Sequence, residues 1–370
     1  MYGFLRHRFG QIIYDRIPKP MPEMAGHSGA DAISGILVLI NGENPTFSYY
    51  LEERLRHIQT VNVVVRKLTD TLDDVKPDGL FVILCRYVKL QQIAWLRRVR
   101  PCLAGVALVI DDDLAAIITG PDGSLRYKAN VLRLGVLPLH KLNPLLSEVW
   151  ASTAELGKVL VNDRADVQIL SPLPPALHLR KRAGIADDMT PLRIVFHATG
   201  IHRREHEFLY PIIRQVLIAD PRIHFEVLAD GSIAGGWHRA GLPADRYTVR
   251  KTMKWRDYAA WAGQTDADIA LVPLLQSRTN NVRADTKRID VARLGAAAIY
   301  SKCEIFDRCA VEGEVHVGNN ADEWIAGILR LTGDSIALNE AKKAAFVSLE
   351  KMVRLSDTSF PFSPRLLSGA

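Results

Sequence analysis

Cysteine is scarce in this chain: Cys85, Cys102, Cys303 and Cys309 are its four, spread over 370 residues. No two stand at CxxC spacing and no histidine follows at zinc-finger distance, which excludes a disulfide scaffold and a cysteine-based zinc module. Cys85 lies inside the apolar run "GLFVILC" and reads as a small buried thiol. Long apolar runs are missing too. "GLFVILC" and "GVALVI" are far short of the roughly 20 residues that a bilayer-spanning helix needs. The opening residues, "MYGFLRHRFGQIIYDRIPKP", lack the apolar core of a secretory signal. A cytoplasmic location with reduced thiols is expected. Zinc-finger spacing, RNP-like aromatic motifs and heptads are absent, so no nucleic-acid partner is expected. There is no short-period repeat and no low-complexity tract.

What is present is an ordinary globular composition, 48% hydrophobic and 24% charged, in a chain long enough for two domains that each bury a core. A formal net charge of +6 fits three kinds of anionic partner: nucleic acid, an anionic membrane surface, or phosphorylated substrates.

Over residues 35–175 short apolar runs alternate with helical spacing. "GILVLIN", "VNVVVRKL", "DGLFVILCR", "GVALVIDDD", "EVWAST" and "VQILS" read as strands, separated by helical stretches such as "FSYYLEERLRHI" and "VKLQQIAWLRRVR". Apolar runs of this length are strands covered on both faces, the signature of a parallel sheet. The stretch "PLPPALHLRKRAGIADDMTP" is rich in proline and charge, and residues 176–191 within it form the expected linker. The pattern restarts over 192–355, with "RIVFHATG", "RIHFEVLAD", "RYTVRKT", "ADIALVPLL", "AAAIYS" and "GEVHVG" as strands. Residues 1–34 are a basic lead-in and 356–370 a tail. The expected fold is α/β, with two Rossmann-like doubly wound domains.

The segment "ADIALVPLLQSRTNNVRADTKRIDVARLGAAAIYS" resembles the donor-binding stretch of GT-B glycosyltransferases, in particular retaining, family-four-like members. Pro273, Leu274, Asn280, Arg283, Lys287, Asp290, Gly295 and Ser301 fall at the family's marked positions. Upstream, "RIVFHATGIHRREHEFLYPIIRQVLIADPRIHFEVLADG" resembles the first strand, turn and helix of the family's second domain, and "VIDDDL" resembles the "DDDL" of some bacterial relatives. Two positions depart from the pattern: Val282 stands where the family carries the first of two acidic residues, and Arg283 replaces a more common lysine. The resemblance implies two domains facing each other across a cleft and transfer of a sugar from a nucleotide-diphosphate sugar, with retention. It also implies polysaccharide or other glycan synthesis, with a glycan, lipid-linked or small-molecule acceptor.

A leaving diphosphate needs cations and N–H groups around it. Arg283 and Lys287 are four apart and point the same way on a helix or its entrance, so they suit that role without a metal or other cofactor; a solvated basic face explains them equally simply. Asp290 suits the ribose hydroxyls or an ordinary pair with Lys287. Thr199, Gly200, His202 and Arg203 follow a strand end and suit a phosphate, with Asn280 beside them; His202 and His206 also read as a surface pair. Asp111 is a candidate catalytic base or acceptor contact. The triplet it opens, Asp111 to Asp113, also fits a metal-binding DxD pair or a helix cap at Asp113. Asn41, Gly42 and Tyr49 are acceptor-side candidates in a loop that is equally an ordinary turn. In the lead-in, Arg6, Arg8, Arg16 and Lys19 interleave with Phe4, Leu5, Phe9, Ile12 and Ile13, which suits a peripheral membrane contact or a tail packed on the first domain. Two other functions use the same fold: a nucleotide-sugar epimerase, and a non-catalytic relative that binds nucleotide sugar or glycan, which Val282 favours.

Overall fold

Each apolar run named above forms a strand. The computed structural model describes residues 11–22, 30, 32–160, 167–175 and 191–362. The first half builds one sheet from β1 (Gly35–Ile40), β2 (Asn62–Lys67), β3 (Leu80–Cys85), β4 (Gly105–Ile110), β5 (Glu148–Ala151) and β6 (Val167–Ile169), in the order β2-β1-β3-β4-β5-β6. The second builds another from β7 (Leu192–Phe196), β8 (Ile223–Leu228), β9 (Tyr247–Arg250), β10 (Ile269–Val272), β11 (Ala297–Ser301) and β12 (Val315–Val317), in the order β12-β11-β10-β7-β8-β9. All pairings are parallel. Strand order reverses at β1/β3 in the first sheet and at β7/β10 in the second, and parallel sheets bind ligands outside the carboxyl ends at such points.

Helices that matter below are α1 (Glu52–His57), α2 (Leu90–Val99), α3 (Leu114–Thr119), α4 (Leu125–Val131), α5 (Arg203–Ala219), α6 (Lys287–Arg293), α7 (Ala321–Gly333) and α8 (Ser335–Leu355). β1, β3 and β4 are buried at every residue, as central strands covered on both faces must be, whereas edge strand β2 is exposed at Asn62, Val65 and Lys67 and half-buried elsewhere.

The two halves share core. Val282, from the loop after β10, is buried among the leucines and valines under the first sheet, and its carbonyl accepts from Thr153 Oγ at 2.7 Å. On the other face of that sheet Ile36, Val38 and Trp150 pack with Ile289 and Ala292 of α6 and with Leu349 and Met352 of α8. The described tail, 356–362, returns to the first half, where Phe360 stacks on Trp150 and Phe362 meets it edge-on. The expected linker lies outside the described residues apart from Pro191, as do Phe4, Leu5, Arg6, Arg8 and Phe9. The described lead-in packs on the first half. Tyr14 donates to Asp113 Oδ2 at 2.6 Å and Lys19 Nζ to the Val159 carbonyl at 2.7 Å.

Candidate active site

The cleft between the carboxyl ends of the two sheets encloses a cavity of about 500 Å³. Its first-half wall is built by residues that directly follow strands: Asn41 after β1, Arg86 after β3, and Asp111 and Asp112 after β4. Tyr49, in the helical turn Phe47–Leu51 before α1, and Tyr127 of α4 complete it. The opposite wall follows the same rule, with His197 and Thr199 after β7, His202 before α5, and Arg283, Lys287 and Asp290 around the start of α6.

Charge is concentrated and paired here. Arg86 Nη2 donates to Asp112 Oδ2 at 2.8 Å, and its Nη1 lies 3.3 Å from Asp111 Oδ1. Arg283 crosses the cleft: Nε donates to Asp112 Oδ1 and Nη1 to His202 Nε2, both at 3.0 Å. Lys287 Nζ donates to the His197 carbonyl at 3.0 Å and to Asp290 Oδ2 at 3.1 Å. Asp290 also accepts from Arg293 Nη1 at 3.0 Å and from Tyr49. Among the described residues Arg86 is the one non-glycine with positive φ, 65°. Backbone strain of this kind is sustained only where surroundings over-determine it, and it clusters at functional sites.

These pairings set the protonation states. Burial raises the Asp111 carboxyl, and Arg86 only partly offsets it. Burial acts the same way on Asp112, but Arg283 and Arg86 outweigh it and hold that carboxyl below the usual range. Asp290 is likewise held low, by Lys287 and Arg293 against burial. Burial, then Arg283 and Lys287, push His202 well below the usual histidine range, so it is neutral and accepts from Arg283.

Of the residues singled out in the sequence, Asn41, Tyr49, Asp111, Thr199, His202, Arg283, Lys287 and Asp290 meet in the cavity wall. Gly42, Gly200, Arg203 and Asn280 do not line it. Gly42 has φ 71° and serves the turn after β1. Arg203 opens α5 on its outer side and pairs with Glu207 at 2.8 Å. Asn280 is buried behind the wall, where its amide donates to Glu205 Oε1 and to the Leu275 carbonyl, each at 2.7 Å. Its role is to fix the loop that carries Arg283. Asp113 caps α3, its carboxylate accepting from the Ala116 amide at 2.9 Å. His206 is fully buried and forms no surface pair with His202. Sequence reasoning missed Arg86 and His197, although each follows a buried strand as closely as Asp111 does, and gave Asp112 no role of its own within the triplet.

No protein-family model matches the chain, and no curated protein matches its sequence. Solved structures do match its fold. The alpha-glucosyltransferase in complex with UDP and a DNA 13-mer superposes with a TM-score of 0.59 at 10% identity, covering 89% of this chain and 97% of that one. Sucrose-phosphate synthase from Thermosynechococcus elongatus gives 0.58 at 14% identity, covering 88% and 95%. TarM gives 0.52 at 10% identity over 80% of this chain, which spans 55% of TarM's length. The fold is GT-B: two Rossmann-like domains face each other across a cleft.

Proposed function

We propose that the cleft binds a nucleotide-diphosphate sugar on its second-half wall and transfers the sugar to an acceptor held against the first-half wall. The observation that carries this reading is the convergence of Arg283 and Lys287 with Asp111 in one cavity between the carboxyl ends of two parallel sheets. Arg283, Lys287 and the turn before α5, whose first residues no side chain caps, supply charge and N–H groups for the leaving diphosphate. Asp111, kept basic by burial, takes the proton of the acceptor hydroxyl. The sugar–phosphate bond breaks through an oxocarbenium-like state as the new glycosidic bond forms, with retention. No metal or other cofactor enters the scheme.

The pairings above mean that binding is an exchange. The cavity carries the cations Arg86, Arg283 and Lys287 against the carboxylates of Asp111, Asp112 and Asp290. In this reading Arg283 exchanges Asp112 for the diphosphate. Asp290 meets a ribose with Tyr49, Arg293 and Lys287 already on its carboxylate. The acceptor is a glycan, a lipid-linked molecule or a small molecule, and peripheral membrane contact belongs to this reading.

Binding without turnover is a second reading. It is favoured by Val282, whose side chain is an apolar peg in the first-half core where the resembling family carries an acid. UDP is present in the complexes of two structural neighbours, the alpha-glucosyltransferase and a TarM variant, and is the first probe. Mixing the protein with UDP-, GDP- and ADP-sugars separates the outcomes. Transfer or hydrolysis supports the transferase, an isomerised sugar indicates an epimerase, and binding alone indicates the non-catalytic form. No thermal shift with any nucleoside diphosphate at millimolar concentration would remove the reading altogether.

A further inference from the structure

The helix that supplies Tyr127 to the cavity has an unusual outer face. α4 continues without a break into the turn Leu132–Val136. At about 100° per residue, Leu125, Ala129 and Leu132 fall along one edge of a single outward sector and Arg126 and Arg133 along the other, and all five are exposed. Leu125 is 85% exposed, and Leu137, just beyond the turn, 56%. The inward side holds Val131 and Leu134 in the core and Tyr127 in the cavity wall. Apolar residues on the outward side of a helix whose inward side is already packed reverse the ordinary pattern of a surface helix.

Charge on this face has one sign. From Ser124 to Ser147 the sequence has no aspartate or glutamate and carries Arg126, Lys128, Arg133 and Lys141. Lys128 turns inward to the Gly120 carbonyl, which leaves Arg126 and Arg133 as the exposed cations of the helix. Arg126 and Arg133 also flank a shallow groove that shares Tyr127 and Asn130 with the catalytic cavity.

We infer that this helix face seats the protein on an anionic lipid surface, with the leucines in the headgroup–acyl boundary and the arginines on lipid phosphates. Nucleic acid would use the arginines but has no use for exposed leucines beside them. Because one helix forms both the docking face and a wall of the cavity, a docked protein presents its acceptor half to the membrane. The acceptor class that fits is an amphiphile whose hydroxyl-bearing head projects from the bilayer. That last step rests on the transferase reading; the surface itself does not.

The test is flotation of the full chain with vesicles of equal phosphatidylcholine and phosphatidylglycerol, and with phosphatidylcholine alone. The wild type is expected to float with the anionic vesicles only, and to be released by salt that screens the surface charge. Arg126→Glu with Arg133→Glu, and separately Leu125→Ser with Leu137→Ser, should each lower the bound fraction about tenfold. These side chains are exposed, and the UDP-induced thermal shift should be unchanged in both variants. The inference is overturned if the wild type does not float, or if either double variant floats as the wild type does. Equal loss of random-sequence duplex DNA binding in the leucine and arginine variants would also overturn it. Flotation without any nucleotide shift would sink the transferase reading and leave the docking face standing.

Discussion

Tyr49 and Asp290 are 241 residues apart in the chain, yet the Tyr49 hydroxyl donates to Asp290 Oδ1 at 2.5 Å across the cleft. The Tyr49 ring is packed edge-on against Trp255, with centroids 5.1 Å apart. Tyr49→Phe keeps that packing and deletes one hydrogen bond to a buried carboxylate. It is expected to destabilise the protein by about 1.5–3 kcal/mol, read as a lower urea midpoint with the slope unchanged. A midpoint equal to wild type would show that this bond does not help hold the halves together.

Arg283→Ala and Lys287→Ala should both weaken UDP binding, by about 1.5–3 kcal/mol each for a lost charge-assisted hydrogen bond, but they should differ in stability. The Arg283 side chain is 15% exposed and its partner Asp112 12%, so its removal strips one cation from a buried carboxylate, which is costly. Lys287 is 34% exposed and Asp290 retains Arg293 and Tyr49. Calorimetric titration with UDP and thermal melts of the two variants give the comparison. Equal melting temperatures would contradict the buried role assigned to Arg283.

Donor binding should survive EDTA, with Arg283 and Lys287 neutralising the diphosphate. Asp113→Asn should cost no more than a helix cap, roughly 0.5–2 kcal/mol, because its carboxylate is spent on the Ala116 amide and Tyr14. UDP titrations in EDTA and in manganese decide this. Binding confined to manganese and abolished by Asp111→Asn would reinstate a DxD metal site.

Stability should fall as the pH drops below about 6.5, in part through His206. Burial lowers this histidine to about 4 from its ordinary 6.5, and its Nδ1 accepts from Trp237 Nε1 at 3.0 Å. Between those values the unfolded chain binds the proton and the folded one does not. Stability is therefore intact above 6.5 and lost progressively towards 4, by roughly 3 kcal/mol over the window. Urea midpoints at about pH 7 and pH 5 should converge in His206→Gln relative to wild type. Parallel slopes would show that His206 does not titrate this way.

The strands were legible because burial on both faces leaves uninterrupted apolar runs such as "GLFVILC" and "GVALVI". Their carboxyl ends then pointed to Asp111 and His202, and the resemblance together with the four-residue spacing from Arg283 pointed to Lys287. What local reading does not contain is pairing across the cleft. Arg283 looks like an available phosphate ligand until Asp112, 171 positions away, is found against it. Val282 looks like a missing acid until its side chain is found in the core of the other half. Arg203 failed for a geometric reason, since the first turn of α5 faces outward there.

The path of α8 has a mechanical consequence. Its first turns, with Leu338 and Ala341, lie in the core of the second half, and its last, with Leu349 and Met352, in that of the first. The chain thus crosses between the halves twice, once between residues 175 and 191 and once along this helix. The helix is therefore rooted at one end in each core. Any opening that admits a substrate accordingly works against the seating of this one helix, whose last turns lie with Ile36, Val38 and Trp150 of the first half.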